Sequence, residues 1–176
     1  TTSVTSGGRW FAGQKQYHGF VTHGDSYTAA VTCQNVRKLV EHKGLNKKDL
    51  TLAIVGAYGV IGEAVSKLLV PEFNHSILIG PRKEKLQELS SVLTGIFETT
   101  QALDTVDADV VVTATNHPKA LLQSEHLKKD ALVVDVSQPP NVSAEVCMQR
   151  PDVVRVDGGF VSFPEEQYLP LPGVPK

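Results

Sequence analysis

The sequence has little cysteine: Cys33 and Cys147 are the two among 176 residues. They stand far apart and make no CxxC or other metal-ligand spacing. A disulfide framework and a cysteine-built metal site are excluded, and a reducing, cytoplasmic setting is expected. Charge of one sign is also missing. Lys plus Arg is 17, Asp plus Glu is 19, and the net charge is −2. A nucleic-acid binder carries a basic excess or stripe, so no nucleic-acid partner is expected. No apolar run reaches the roughly 18 residues of a membrane span. No charged-then-apolar leader opens the chain. The first residue is Thr1 rather than Met, as expected of an excised or processed piece.

What is present is ordinary for a globular protein: 41% hydrophobic and 20% charged residues. That composition excludes disorder, collagen-like repeats and coiled coil as the main theme. The length suits one domain with an arm. With 14 Gly and 10 Pro, many tight turns are expected.

Residues 1–49 read as an N-terminal arm and a first helix. A short strand is expected over Lys15 to Val21. Asp25 or Ser26 supplies a helix cap, since a short side-chain oxygen accepts a first-turn N–H. Ala29, Ala30, Cys33, Val36, Leu39 and Val40 follow at helical spacing, and Gly44 stops the helix. From Leu50 the texture changes. Leu50 to Val55 is a short apolar run followed at once by glycines, as in a strand buried on both faces. A helix with Ile61, Ala64, Val65, Leu68 and Leu69 inward follows, stopped by Pro71. Further strands are expected over Ser76–Ile79, Ile96–Thr99, Asp109–Ala114, Ala131–Val136 and Val153–Val156. Helices are expected over Lys83–Leu93, Gln101–Val106, Ser124–Lys128 and Ser143–Gln149. Alternation at this pitch means βαβ units. The expected fold is α/β: a doubly wound parallel sheet in three layers, α/β/α, over residues 50–160. Residues 161–176 form a Pro-rich tail with apolar residues between the prolines, expected to be truncated or to dock on a partner.

Directly after the first strand stands Gly56-Ala57-Tyr58-Gly59-Val60-Ile61-Gly62, a GxxGxxG variant of the dinucleotide fingerprint. Gly56 lets the strand turn. Gly59 removes a Cβ where backbone approaches a pyrophosphate. Gly62 lets helix and strand pack closely. The helix N-terminus offers free N–H groups to phosphate. The alternative is a plain tight turn needing glycine for its geometry. The fold expected is therefore Rossmann-like and NAD(P)-binding. The second strand ends Ile79-Gly80-Pro81-Arg82-Lys83, with two cations where an NAD site places an acid. Arg82 and Lys83 suit a ribose 2′-phosphate, which favours NADP as cofactor. Alternatively they are solvated charges opening the next helix. The fourth strand ends in Thr113-Ala114-Thr115-Asn116, small residues that admit a nicotinamide. His117, Lys119 and Asp135 are the catalytic candidates, each with a structural alternative. Gly159, after the sixth strand, allows close backbone approach. No metal is expected.

Together these segments resemble the NADPH-dependent acyl-carrier-protein reductases that form fatty aldehydes. They are also similar to putative amino-acid dehydrogenases with a shikimate-dehydrogenase-like cofactor domain. The resemblance rests on residues 22–28, Gly56 to Gly62, Gly80 to Arg82, 112–119, 134–138 and 156–160. It implies a substrate side at His23, Asp25, Ser26 and Thr28, and a small-molecule or carrier-protein-bound acyl substrate. It also implies a cysteine that takes up the acyl group before hydride arrives from NADPH. In that family the cysteine follows the Asp-Gly-Gly element, and this chain has none there. Two readings stand: an NADP-dependent oxidoreductase domain acting on an acyl thioester or aldehyde, and an NADP(H)-binding sensor or subunit module without chemistry. Sheet edges and the tail leave room for a homo-oligomer or a further domain of a longer chain.

Overall fold

Six short runs rich in Val, Ile, Leu and Thr become six parallel strands. They are β1 (Thr51–Val55), β2 (His75–Ile79), β3 (Phe97–Thr100), β4 (Val110–Thr113), β5 (Leu132–Asp135) and β6 (Val154–Asp157). The structure is a computed structural model that describes residues 13–16, 18 and 24–159. The sheet order is β3-β2-β1-β4-β5-β6. The chain starts in the middle, winds outward one way, then returns and winds outward the other way. The helices are α1 (Asp25–His42), which precedes β1, and the crossovers α2 (Val60–Leu69), α3 (Lys83–Ser90) and α4 (Ala144–Gln149). This is the doubly wound α/β architecture expected from the alternation.

Strand residues alternate strictly between two cores, because successive side chains in a strand point to opposite faces. Leu52, Ile54, Leu78, Val110, Val112, Leu132 and Val134 face one core, with Cys33 and Val36 of α1 and Val65 and Leu69 of α2. Ala53, Val55, Ile77, Ile79, Val111 and Val133 face the other, with Val146 of α4 and Leu122 and Leu127. Three layers result. The edge strands β3 and β6 are the least buried, as one-sided neighbours dictate.

Ion pairs fix the layers at the end of the sheet away from the glycine turn. Arg37 of α1 reaches Glu72 at 2.5 Å, and Lys47 pairs with the same carboxylate. The Arg37 hydrogen bond holds the Glu72 carboxyl below its usual range. Arg150, after α4, donates to the carbonyls of Ser124 at 2.6 Å and Leu127 at 2.8 Å. It also holds Asp152 well below the usual carboxylate range.

Several local expectations are corrected. Gly24, not Asp25 or Ser26, occupies the α1 cap position, and no side chain caps it. Ala30 is exposed, whereas Val31 and Thr32 are buried. The Thr32 hydroxyl donates to the Thr28 carbonyl at 2.7 Å, which satisfies it inside the helix packing. In α2, Leu68 faces solvent and Gly62 and Ser66 take buried positions. The helix from Lys83 ends at Ser90, leaving Val92 exposed. Residues 101–106 form no helix; six uncapped residues do not repay helix nucleation. Ser124–His126 is one 3-10 turn, closed by the Gln123 N–H donating to His126 Nδ1 at 3.0 Å. Lys15 and Gln16 lie in a turn. The rest of the strand expected there lies outside the described residues, His18 apart. The tail 161–176 also lies outside them.

Candidate functional site

Parallel pairing brings the C-terminal ends of the strands into one row. Val55 of β1 is level with Ile79 of β2 and Thr113 of β4; Thr113 is level with Asp135 of β5, and Asp135 with Asp157 of β6. Loops leaving β1 and β4 at this row diverge, since α2 returns over one face and the β4–β5 connection, with Leu122 and Leu127, over the other. The divergence opens a cleft of about 1240 Å³. Open α/β sheets bind ligands at such a reversal point.

The glycine turn forms the floor of the cleft. Gly56 takes φ +86°, a conformation that L side chains rarely adopt. A Cβ on it would also sit 2.5 Å from the Ala114 carbonyl oxygen. Gly62 sits in the first turn of α2, where a Cβ would meet the Gly56 carbonyl oxygen at 2.0 Å. Gly59 differs: its φ is −66°, and a Cβ would lie 3.2 Å from Gly56 O. The fold therefore demands glycine at 56 and 62 and asks much less at 59. Gly59 is the N-cap of α2, and no side chain caps the helix. The first-turn amides of a helix have no intrahelical partner. Here they stand beside Gly59, Val60 and Ile61, which line the cleft.

Across the cleft floor, Tyr58 leans from the glycine turn onto the end of β2. Its hydroxyl accepts the Arg82 backbone N–H at 3.2 Å. The Arg82 guanidinium lies 5.2 Å from the ring centroid. Gln101 Nε2 donates to the Pro81 carbonyl at 2.8 Å and braces the same turn. No ion pair among the described residues includes Arg82 or Lys83.

The opposite wall is held by Asp135, whose carboxylate is buried. It accepts from Thr113 Oγ1 at 2.5 Å and from the backbone N–H groups of Ser137, Asn141 and Val142 at 3.1, 2.8 and 3.1 Å. Arg155 approaches it at 3.5 Å. Ser137 Oγ in turn accepts the Thr115 N–H at 3.1 Å, and Thr115 Oγ1 donates to Asn141 Oδ1 at 3.1 Å. Asp135 thus anchors the loop that carries Thr115 into the cleft.

Of the residues expected at a cofactor site, Gly56, Tyr58, Gly59, Val60, Ile61, Arg82, Ala114, Thr115, Asn116 and Gly159 line the cleft together. Ala57 is buried in the turn, Gly62 is buried on the inner face of α2, and Thr113 is buried against Asp135. Lys83 is exposed as the first residue of α3 and does not line the cleft. Of the expected substrate residues, Asp25 and Thr28 line the cleft. Ser26 is exposed outside it, and His23 lies outside the described residues. His117 lines the cleft, but its Nδ1 is 3.0 Å from the Lys119 carbonyl oxygen, within its own loop. Lys119 is exposed and takes no part in the lining. Asp135 is committed to five hydrogen-bonding and charged neighbours, a structural anchor rather than a free base.

Sequence reasoning missed Ser137, Asn141, Leu103 and Leu121. Ser137 was visible as the neighbour of Asp135 in the Val134-Asp-Val-Ser-Gln segment. Asn141 and the two leucines carry no local signal, because loops bring them in. Neither cysteine lines the cleft. Cys33 is buried under α1, and burial pushes its thiol up to about 11. Cys147 packs against the second core. Among the described residues no His/Cys/Asp/Glu group forms a metal site. No helix among them is long and apolar enough to cross a membrane.

Comparison with known proteins agrees with this geometry. A family model described as Shikimate / quinate 5-dehydrogenase matches residues 38–158. A long-chain acyl-[acyl-carrier-protein] reductase of Synechococcus elongatus is 29% identical over 145 residues, 80% of this chain and 41% of that protein. The chain spans about two-fifths of the length of the curated relatives it matches. Among solved structures, a dipicolinate synthase from Bacillus halodurans superposes with TM-score 0.61 at 12% identity, covering 75% of this chain and 46% of that one. A shikimate 5-dehydrogenase of Listeria monocytogenes, in complex with shikimate and NAD, gives 0.52 at 12% identity, covering 73% and 52%. At these identities the structural matches speak for the fold.

Proposed function

We propose that this chain, which belongs to the shikimate / quinate 5-dehydrogenase family, binds a nicotinamide adenine dinucleotide in its cleft. We further propose that NADPH is the preferred form and that the domain serves an oxidoreductase. The observation that carries the reading is the contrast within the glycine turn. Gly56 and Gly62 answer to the fold. Gly59 stands at the uncapped start of α2, facing the cleft, where backbone proximity serves a phosphate-bearing ligand. The residues fit the group. The amides beside Gly59 would hold the pyrophosphate, and Arg82 would hold the ribose 2′-phosphate. Thr115, Asn116 and Gly159 would border the nicotinamide. When bound, the dinucleotide supplies or accepts hydride. The chain's own part is to orient it. Asp135 fixes Thr115 through Ser137 and Asn141, and the buried sheet end beneath excludes water from one side.

The substrate class is proposed from the Synechococcus relative, whose name is that of a long-chain acyl-[acyl-carrier-protein] reductase. An acyl thioester or the matching aldehyde would enter beside Asp25 and Thr28. Such a reduction calls for a thiolate to accept the acyl group. Cys33 is protonated and buried, and Cys147 is outside the cleft. That observation favours a second reading, in which the chain is an NADP(H)-binding module without its own chemistry.

The test has two stages. Titration of the full chain with NADPH, followed by cofactor fluorescence, is expected to saturate below millimolar concentration. No binding at that level overturns both readings. NADPH oxidation on addition of an acyl thioester or a fatty aldehyde supports the enzyme. Binding without oxidation supports the module.

A further inference from the structure

We infer that Tyr58 is a specificity-determining residue, positioning Arg82 so that the chain tells a 2′-phosphorylated adenine dinucleotide from the unphosphorylated form. The inference rests on the cleft being a nicotinamide dinucleotide site. It concerns a residue that the glycine turn itself does not require.

Three contacts build Tyr58 into the turn after β2. The ring lies directly on Gly80, where a Cβ would be 2.4 Å from Cε1 and 3.0 Å from Cδ1. Only glycine at 80 seats the ring in this pose. The phenol oxygen accepts the Arg82 N–H at 3.2 Å. Arg82 is the N-cap of α3 and has no side-chain cap bond, so this contact fixes its backbone. The guanidinium then rests 5.2 Å from the ring centroid, inside the range of a cation–π contact. With one face against the ring and no ion pair among the described residues, the guanidinium keeps its edge donors for a ligand. A planar fork held on an aromatic face suits a phosphate monoester, which it contacts through two parallel N–H bonds.

The surroundings favour an anion. Tyr58, Gly80, Arg82 and Gln101 line the same part of the cleft. The acids that line it, Asp25, Asp135 and Asp157, belong to α1, β5 and β6 rather than to the β2 end. A flexible arginine on an exposed turn loses rotamer freedom when it binds; one already laid on a ring loses less. Tyr58 thus acts through Arg82, and its effect falls on the 2′-phosphate alone.

The experiment measures dissociation constants for NADPH and NADH with the full chain and four variants: Tyr58→Leu, Tyr58→Phe, Arg82→Ala and the Tyr58→Leu/Arg82→Ala double. The wild type is expected to prefer NADPH. Tyr58→Leu should cut the NADPH-over-NADH ratio about fivefold, the worth of one cation–π contact, with NADH affinity changed by less than about twofold. Tyr58→Phe should fall between. In the Arg82→Ala background, Tyr58→Leu should leave the ratio unchanged. Equal weakening of both cofactors by Tyr58→Leu overturns the inference, since the ring then merely packs. So does tighter binding of either, since the ring then obstructs. So does an equal effect in the Arg82→Ala background. If circular dichroism shows Tyr58→Leu unfolded, Tyr58→Phe decides, and an unchanged ratio refutes the role. A wild type that binds both cofactors equally refutes this inference and leaves the cofactor site standing. A wild type that binds neither refutes both.

Discussion

Replacing Gly59 and Gly62 by alanine, one at a time, should separate what the fold needs from what a ligand needs. In Gly62→Ala the new Cβ would lie 2.0 Å from the Gly56 carbonyl oxygen and 2.9 Å from its carbonyl carbon. Both are backbone atoms, so no side chain can swing aside. Either α2 or the turn must retreat by roughly 1.4 Å to reach ordinary contact, in an interior packed like a crystal. Val65 and Leu69, fully buried on the same helix, would be dragged out of register with β1. Overpacking of this kind costs about 3 kcal/mol, against about 1 kcal/mol gained from alanine's better helix propensity. The net loss of about 2 kcal/mol corresponds to a melting point lower by about 4–8 °C for a chain of this size. In Gly59→Ala the backbone is already at φ −66°, and the contact at 3.2 Å yields to a few tenths of an ångström of movement. Alanine is a poor N-cap, so a loss of about 0.5–1 kcal/mol is expected. On the proposed reading, NADPH affinity should nevertheless fall at least about tenfold, because the backbone shift that makes room for the methyl would move the helix amides proposed to meet the phosphate. Urea melts and fluorescence titrations on both variants give the four numbers needed. Equal destabilisation by the two substitutions would refute the packing argument. Normal NADPH binding by Gly59→Ala would refute the ligand argument.

Asp135→Ala removes the acceptor shared by Thr113 and three backbone amides; a stability loss of about 3 kcal/mol is expected in urea melts, since buried donors are left unmet. Glu72 has its carboxyl lowered by Arg37 and Lys47, so its contribution is present above the ordinary carboxylate pKa and is lost as pH falls through the lowered one. Glu72→Gln should therefore cost about 1 kcal/mol at pH 7, with the gap to wild type closing below about pH 4 in melts across pH. A thiol-reactive chromogen at pH 8 should label Cys147 alone in the native chain and both cysteines in denaturant, because Cys33 is fully buried with its thiol pushed up to about 11. Rapid labelling of two thiols in the native state would contradict the packing of α1.

The sheet was legible because each strand writes its burial on both faces into its own residues. Leu52 to Val55, Ile77 to Ile79, Val110 to Val112 and Leu132 to Val134 are apolar without a break. The glycine turn was legible because backbone geometry restricts it to one residue type. Helix faces were read less well. Leu68 and Val92 are apolar yet exposed, and single exposed apolar residues are common on any surface. Thr32 and Ser66 were passed over as polar, although each hydroxyl bonds to a nearby backbone carbonyl and is carried inside. Residues 101–106 have a helical composition, but length and caps decide short helices. Leu121 in the cleft and Asn141 buried behind it could not be placed, because long-range loop packing puts them there.

Residues at the candidate site divide into those the fold already accounts for and those it does not. Thr113 and Asp135 satisfy one another and three backbone amides. Gly56 and Gly62 are required by a positive φ and by contacts of 2.5 Å and 2.0 Å. His117 is tied to its own loop. Each looks functional in a motif, yet each has a sufficient structural cause. Gly59, at the uncapped start of α2, has no such cause, and the Arg82 guanidinium rests on the Tyr58 ring with no ion pair among the described residues. A cation without an ion pair among the described residues stands on one side of the cleft, and helix amides without a side-chain cap stand on another. Their common feature is an affinity for oxyanions. On the proposed reading, a ligand carrying phosphate at both places would satisfy the two at once. A dinucleotide bearing a 2′-phosphate places a pyrophosphate and a monoester on one ribose, so on the proposed reading a single ligand class would account for groups at the starts of two different helices.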